Sequence, residues 1–269
     1  MAEADEGVTY DLEGDVALVG LNRGHKRNAL NDAMITLLRD AIFRAGQEAR
    51  AGVIYAHGDN FSAGLDLAEA LSWMDPNAKK KRPRGRWYRP FDLIARGHIP
   101  WVAALKGACI GGGLELASAC HIRVADESTF FALPEGQRGI FVGGGGSVRI
   151  SRLMGYARMA DLMLTGRVLT AQEGERANLC QYVVPKGQSF ERAKSLATRI
   201  AENAPQSNWA ITNALPRILD LQHEDGLFVE ALVGSAMREQ SSEGFERVRD
   251  FVEKRAKPLA KPGTSGDGR

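Results

Sequence analysis

Cysteine is scarce in this chain. Its 269 residues include three, Cys109, Cys120 and Cys180. The number is odd and no CxxC pair exists, which argues against a disulfide framework and a thiolate zinc site and fits a reducing cytoplasm. Long hydrophobic runs are also missing. No apolar stretch approaches the roughly 18 residues that a membrane span needs, and the acidic start, Met-Ala-Glu-Ala-Asp-Glu, lacks the apolar segment of a signal peptide. Neither sign of charge dominates: 35 Lys and Arg against 33 Asp and Glu leave a formal net charge of +2, far from the basicity of a committed nucleic-acid binder. The histidines, His25, His57, His98, His121 and His223, are scattered without an HExxH or similar spacing. No GxSxG elbow is present, and Gly143 to Gly146 lead into Ser147 rather than the Lys-Ser/Thr ending of a P-loop, so they read as a flexible turn entering the helix from Ser147. These absences predict a soluble, cytoplasmic protein that binds no metal, membrane or nucleic acid.

With 44% hydrophobic and 25% charged residues, the chain has an ordinary globular balance and enough length for a sizeable α/β core. Val8 to Leu12 and Val16 to Leu21 read as strands joined at Glu13-Gly14-Asp15, a hairpin signal. Asn31 caps a helix to about Ala49, with Met34, Leu37, Leu38, Ala41 and Ile42 at helical spacing. Gly52 to His57 reads as a buried strand. The pattern recurs: Trp101 to Leu105 is a strand, Gly107 to Gly113 a glycine-rich loop, Leu114 to Ala119 the start of a helix, and His121 to Ala125 and Thr129 to Ala132 further strands. From Ser147 onward the chain reads as helical apart from Tyr182 to Val184. Alternating strands and helices followed by helices predict an α/β core with a helical extension. The basic stretch from Lys79 to Arg89 reads first as a solvated loop, with a phosphate-facing lid or, through Trp87 and Tyr88, a nucleic-acid contact as alternatives.

Two loop-to-helix junctions carry candidate chemistry: Phe61-Ser62-Ala63-Gly64-Leu65-Asp66-Leu67 and Gly107-Ala108-Cys109-Ile110-Gly111-Gly112-Gly113-Leu114-Glu115-Leu116. An N–H at a helix N-terminus is unpaired and lies at the positive end of the helix dipole. Two such groups converging on one point make an oxyanion hole. Either junction alone reads equally as a tight turn with a glycine cap. Glu115, in the first turn of the second helix, and Glu135, after Pro134, sit among apolar residues and glycines, where a carboxyl pKa is raised. Facing one substrate they could divide acid and base roles; singly, each reads as a capping or surface carboxylate.

Taken together and in order, these segments resemble the crotonase, or enoyl-CoA hydratase/isomerase, superfamily from about Val8 to Pro258. Asn22 to Leu30 is similar to LNRPxxxNAL, with Gly24 in place of proline. Phe61 to Asp66 is similar to F(S/A)AGxD, Gly107 to Cys120 to NGxxxGGGxELAxxCD, and Phe131 to Gly139 to FxxPExxxG. Glu243 to Pro258 is similar to the closing EGxxAFxEKRxP segment. The resemblance implies an α/β spiral of repeated ββα units carrying the coenzyme A site (residues 1–190), a helical C-terminal oligomerisation region (191–258) forming trimers or hexamers, and a tail (259–269) expected to be disordered. It implies an oxyanion hole from the N–H groups of Leu65 and Gly112. It implies Glu115 holding a water and Glu135 delivering a proton to Cα, with Lys26, Arg27, Ala63 and Asp66 at the coenzyme A. The activity implied is hydration of a trans-2-enoyl-CoA thioester with no cofactor beyond the substrate's coenzyme A. A double-bond isomerase, a thioester or C–C hydrolase, and a non-catalytic coenzyme A- or RNA-binding homologue are the alternatives. Two departures stand out. Cys120-His121 replaces Cys-Asp, and the segment Ile140 to Gly146 replaces a proline and short glycine turn, which is expected to reshape the acyl pocket wall.

Overall fold

The computed structural model describes residues 7–77, 88–240 and 242–255. In chain order the first compact unit contains β1 (Gly7–Glu13), β2 (Val16–Asn22), α1 (Asp32–Glu48), β3 (Ala51–Ala56), α2 (Leu67–Met74), α3 (Tyr88–Arg96), β4 (Trp101–Leu105), β5 (Ala108–Ile110), α4 (Gly112–Ala119), β6 (Ile122–Asp126), β7 (Phe130–Ala132), α5 (Gly146–Met154), α6 (Tyr156–Thr165), β8 (Val168–Thr170), α7 (Ala171–Arg176), β9 (Tyr182–Val184) and α8 (Ser189–Ala201).

β1 and β2 form the expected hairpin, in antiparallel register from Gly7↔Asn22 to Glu13↔Val16. From β2 onward the six-stranded sheet is parallel, in the order β1-β2-β3-β4-β6-β9. A second layer advances in step with it. Leu30 bridges Leu65, Ser62 bridges Cys109, and β5 pairs in parallel with β7, which pairs antiparallel with β8. Each turn of chain therefore leaves one strand in the large sheet and one segment in the small layer before entering a helix. The two junctions singled out above become neighbours because they occupy adjacent positions in that second layer.

Successive strand residues point to opposite faces. Val16, Leu18, Val53, Val102, Ala104 and Val124 pack with Ala193, Leu196, Ala197 and Ala201 of α8. Their neighbours Ala17, Val19, Leu21, Ile54, Ala103 and Leu105 join Met34, Ile35, Leu38, Ile42 and Ala45 of α1. With both faces covered, the strands read as continuous apolar runs rather than alternating ones. Asn31 caps α1 by accepting from the Met34 N–H at 2.8 Å. The buried stripe of α1 includes Ile35 and Ala45, whereas Leu37 stands 43% exposed; a 3.6-residue repeat places it at the edge of that face.

Three differences from the sequence reading have simple causes. The first unit ends at Ala201, not at 190, because α8 buries its apolar stripe on the sheet. β5 lies within the glycine-rich loop, too short for a periodic signal, and β8 follows Gly166 and Arg167 as a three-residue edge strand. His121, in place of the family's aspartate, accepts from the Trp101 N–H at 3.0 Å through Nδ1. Burial pulls its pKa down to about 4, so it serves as a neutral acceptor.

The second unit, Glu202–Arg269, contains α9 (Pro205–Trp209), a π-helical turn (Ala210–Ala214), α10 (Leu215–Ile218), α11 (His223–Gln240) and α12 (Ser242–Val252). Its helices leave Trp209, Leu219, Phe228, Phe245 and Phe251 exposed. The basic residues 79–87 and the tail 259–269 lie outside the described residues; Arg89 is an exposed residue of α3. Among the described residues no helix is long and apolar enough to cross a membrane.

Leu38→Ala should destabilise the protein by about 2–5 kcal/mol through cavity formation, and Leu37→Ala by less than about 1 kcal/mol. Urea denaturation followed by circular dichroism measures both.

Candidate active site

Ser62 holds the first junction in shape. Its buried hydroxyl donates to the Asn28 carbonyl at 2.7 Å and accepts from the Gly64 N–H at 3.1 Å. Asn28, fully buried in the left-handed region at φ 52°, donates to the carbonyls of His57 and Asn60 and accepts from the Arg23 N–H. At Gly64, φ is +87°, and a Cβ would lie 2.7 Å from the Ile110 carbonyl oxygen and 3.2 Å from the Gly112 nitrogen. Only glycine allows so close an approach of the two junctions.

Gly112 opens α4, so its N–H has no acceptor within the helix. The Leu65 N–H is bypassed in the bridge to Leu30: the Leu30 N–H donates to the Gly64 carbonyl and the Asp66 N–H to the Leu30 carbonyl. Both donors border two adjoining cavities. One, about 390 Å³, is lined by Lys26, Arg27, Ala63, Gly64, Asp66 and Arg138 among others. The second, about 320 Å³, is lined by Trp73, Met74, Glu115, Phe141, Gly143 and Gly144. Leu65, Gly112, Glu135 and Ile140 belong to both walls. This is the arrangement a two-part ligand needs, with its reacting atoms at the junction.

Lys26 and Arg27 are exposed at the first cavity. Asp66 lines it too, but its carboxylate is engaged: it pairs with Arg23 at 2.6 Å and caps α2 by accepting from the Ala68 and Glu69 N–H groups. Those partners hold its pKa below the usual carboxylate range. In this structure Asp66 braces the cavity wall rather than offering a free charge.

The two glutamates have opposite surroundings. Glu115 Oε1 accepts from the Gly144 N–H at 2.7 Å and the Gly146 N–H at 2.9 Å, with a longer 3.5 Å approach of the Gly143 N–H to Oε2. Burial raises its pKa, while these donors and the Arg149 charge oppose that rise. Glu135 Oε1 lies against Gly111, and its buried Oε2 meets no hydrogen-bond partner. Burial, with a smaller push from the Glu115 charge, raises the Glu135 pKa to about 7. Both carboxyls are thus raised by burial, but only Glu115 has donors that favour its charged form, an asymmetry of the kind that acid–base catalysis exploits.

The sequence reading treated Gly143 to Gly146 as a flexible turn. The structure makes it an anion cradle at the start of α5, anchoring Glu115. The signal was present: several glycines leading into a helix expose unpaired N–H groups that attract a carboxylate. A Cβ at Gly146 would sit 2.7 Å from Glu115 Cγ, whereas one at Gly143 would meet nothing within 4 Å.

The chain is similar to known proteins along nearly its whole length. The enoyl-CoA hydratase/isomerase family model matches residues 11–261. The enoyl-CoA hydratase EchA19 of Mycobacterium tuberculosis is 30% identical over 263 residues, covering 95% of this chain and 98% of its own. A crystal structure of a "putative enoyl-CoA hydratase" from Rhodopseudomonas palustris is similar with a TM-score of 0.83 and 45% identity, covering 92% and 95% of the two chains. The enoyl-CoA hydratase of Bacillus anthracis is similar with a TM-score of 0.83 and 27% identity, covering 93% and 97%.

Two outcomes are expected. Glu135→Gln should leave stability unchanged near pH 4 and raise it by on the order of 1–3 kcal/mol at pH 8. The wild-type group has a folded pKa above its unfolded one, so stability falls as pH rises from about 4.5 through about 7; the figure is discounted for partial solvent access. Thermal unfolding at both pH values measures it. Gly146→Ala should displace Glu115 and lower turnover of an acyl-CoA thioester at least about tenfold, while Gly143→Ala stays within about twofold of the wild type; steady-state kinetics compares them.

Proposed function

Because the chain belongs to the enoyl-CoA hydratase/isomerase family, we propose that it adds water to a trans-2-enoyl-CoA thioester, giving the 3-hydroxyacyl-CoA. The observation that carries this reading is the pair of carboxyl groups with opposite surroundings on one cavity wall, beside two N–H donors.

In the proposed reaction the coenzyme A portion occupies the larger cavity, with Lys26 and Arg27 attracting its phosphates. The thioester oxygen accepts from the Leu65 and Gly112 N–H groups. Polarisation drains electron density from Cβ. The Glu115 carboxylate accepts a proton from a water that attacks Cβ. The negative charge that forms on the thioester oxygen is held by the two donors, an effect worth about 10²–10³ in rate per donor. Glu135 then gives its proton to Cα as the enolate collapses. Proton exchange with solvent afterwards returns Glu115 to carboxylate and Glu135 to acid. The two N–H groups and two carboxyls supply the whole reaction, so no resident metal or redox group is invoked. The exposed apolar residues of the second unit, including Phe228 and Phe245, support packing between copies of the chain as a trimer or hexamer.

The test is a spectrophotometric assay on enoyl-CoA thioesters from crotonyl to cinnamoyl. Hydration removes the conjugated absorbance, and mass spectrometry identifies the 3-hydroxyacyl product. No loss of absorbance, with the folded protein binding coenzyme A esters, would move the reading to an isomerase or hydrolase of the same fold. Glu135→Gln should keep coenzyme A ester binding and lose about 10²–10⁴ in turnover. Wild-type kcat/KM should be bell-shaped in pH. It should fall above about pH 7 as Glu135 ionises, and fall in acid as Glu115 gains a proton.

A further inference from the structure

The loop that holds Glu115 is itself held. Arg149, one turn into α5, folds back so that its Nη2 donates to the Gly144 carbonyl at 2.5 Å. The opposite side of that same residue, the Gly144 N–H, donates to Glu115 Oε1. Arg149 Nη1 lies 3.8 Å from Asp92 Oδ1 on α3, and the guanidinium is mostly buried, its side chain 18% exposed. A cation in this place costs desolvation free energy; among the described residues it makes one close hydrogen bond to the loop and one loose ion pair. No ion pair joins Arg149 to Glu115 directly; the connection runs through a single residue of the loop. Aligned peptide groups polarise one another, so an arginine pulling on the Gly144 carbonyl also orients the loop.

We propose that Arg149 is a positioning residue for the acid–base chemistry: it clamps the Gly143–Gly146 loop and, through it, holds Glu115 aimed at the cavity. This rests on the hydratase reading for its catalytic consequence, not for the clamp itself. The charged and titratable groups around the pair are few. Glu115 faces Arg149 on α5 and Glu135. Arg149 faces Asp92 and Arg96 on α3, Cys120 after α4, and Glu115. Cys120 is buried and its thiol is pushed up to about 12, so it stays neutral. Asp92 is shared with Arg96, which approaches it at 3.7 Å. Arg149 is therefore the cation whose removal changes the surroundings of Glu115 most. An opposite charge nearby depresses a carboxyl pKa, so its loss raises that of Glu115.

The experiment uses full-length protein labelled with ¹³C at the glutamate side-chain carboxyl, with Glu115→Gln supplying the assignment. Arg149→Met should raise the pH at which Glu115 titrates by about one unit, at the lower end of what a neighbouring charge produces. It should move the acid limb of kcat/KM upward by the same amount. Arg149→Lys keeps the charge but loses the fork on Gly144. It should leave both titrations near the wild-type position while lowering kcat about three- to tenfold. If Arg149→Met leaves the Glu115 titration where it is, Arg149 is only a packing residue and the proposal is overturned. Should Arg149→Met fail to fold, kcat of Arg149→Lys and the Glu115 titration in Asp92→Asn decide. A Lys variant whose kcat equals the wild type, or an Asn variant without any shift, overturns the clamp. If the wild type turns over no enoyl-CoA, the hydratase reading fails while the carboxyl titration still decides the role of Arg149.

Discussion

The site depends on one constraint: the parallel pairing of successive turns of chain in the second layer. Ser62 bridges Cys109 and Leu30 bridges Leu65, and this alone brings two helix-entering loops side by side. Gly64 then approaches the Ile110 carbonyl at a distance no side chain allows, with the Gly112 nitrogen beside it, so the Leu65 and Gly112 N–H groups share one wall. Asn28 and Ser62, both buried and fully engaged, hold the loops from behind. Donors fixed by backbone pairing need little reorganisation when charge develops on a ligand, which is where electrostatic catalysis gains most.

Around that wall the protein separates two carboxyl groups of the same type. The N–H groups of a glycine loop surround Glu115, while Glu135 keeps a buried oxygen without a partner. Leaving such an atom unsatisfied lowers stability, and retaining it is characteristic of a functional site. The energetic asymmetry comes from backbone geometry rather than from nearby charged side chains, Arg149 excepted.

Much of this was legible in the sequence. The hairpin, α1 with its Asn31 cap, β4 and β9 followed from period and turn residues alone. The two junctions and both glutamates stood out as loops with unpaired N–H groups and as carboxyls in apolar surroundings. What the residues could not give singly was their convergence, which requires pairing between segments far apart in the chain; the family resemblance supplied that expectation. β5 was missed because it lies inside the glycine-rich loop, and β8 because it interrupts a stretch that otherwise reads as helical. Gly143 to Gly146 were misjudged as flexible because their partner, Glu115, is distant in sequence. The family resemblance placed Asp66 at the coenzyme A; its pairing with Arg23, distant in sequence, was not legible.

The central claim is that Leu65 and Gly112 stabilise an enolate and that Glu135, not Glu115, exchanges the proton at Cα. Exchange of the α-protons of a saturated acyl-CoA such as butyryl-CoA in D₂O, followed by mass spectrometry or NMR, tests it without requiring the right enoyl substrate. The account predicts deuterium at Cα with the wild type and with Glu115→Gln, and its loss with Glu135→Gln. Exchange that survives in Glu135→Gln and disappears in Glu115→Gln would contradict it.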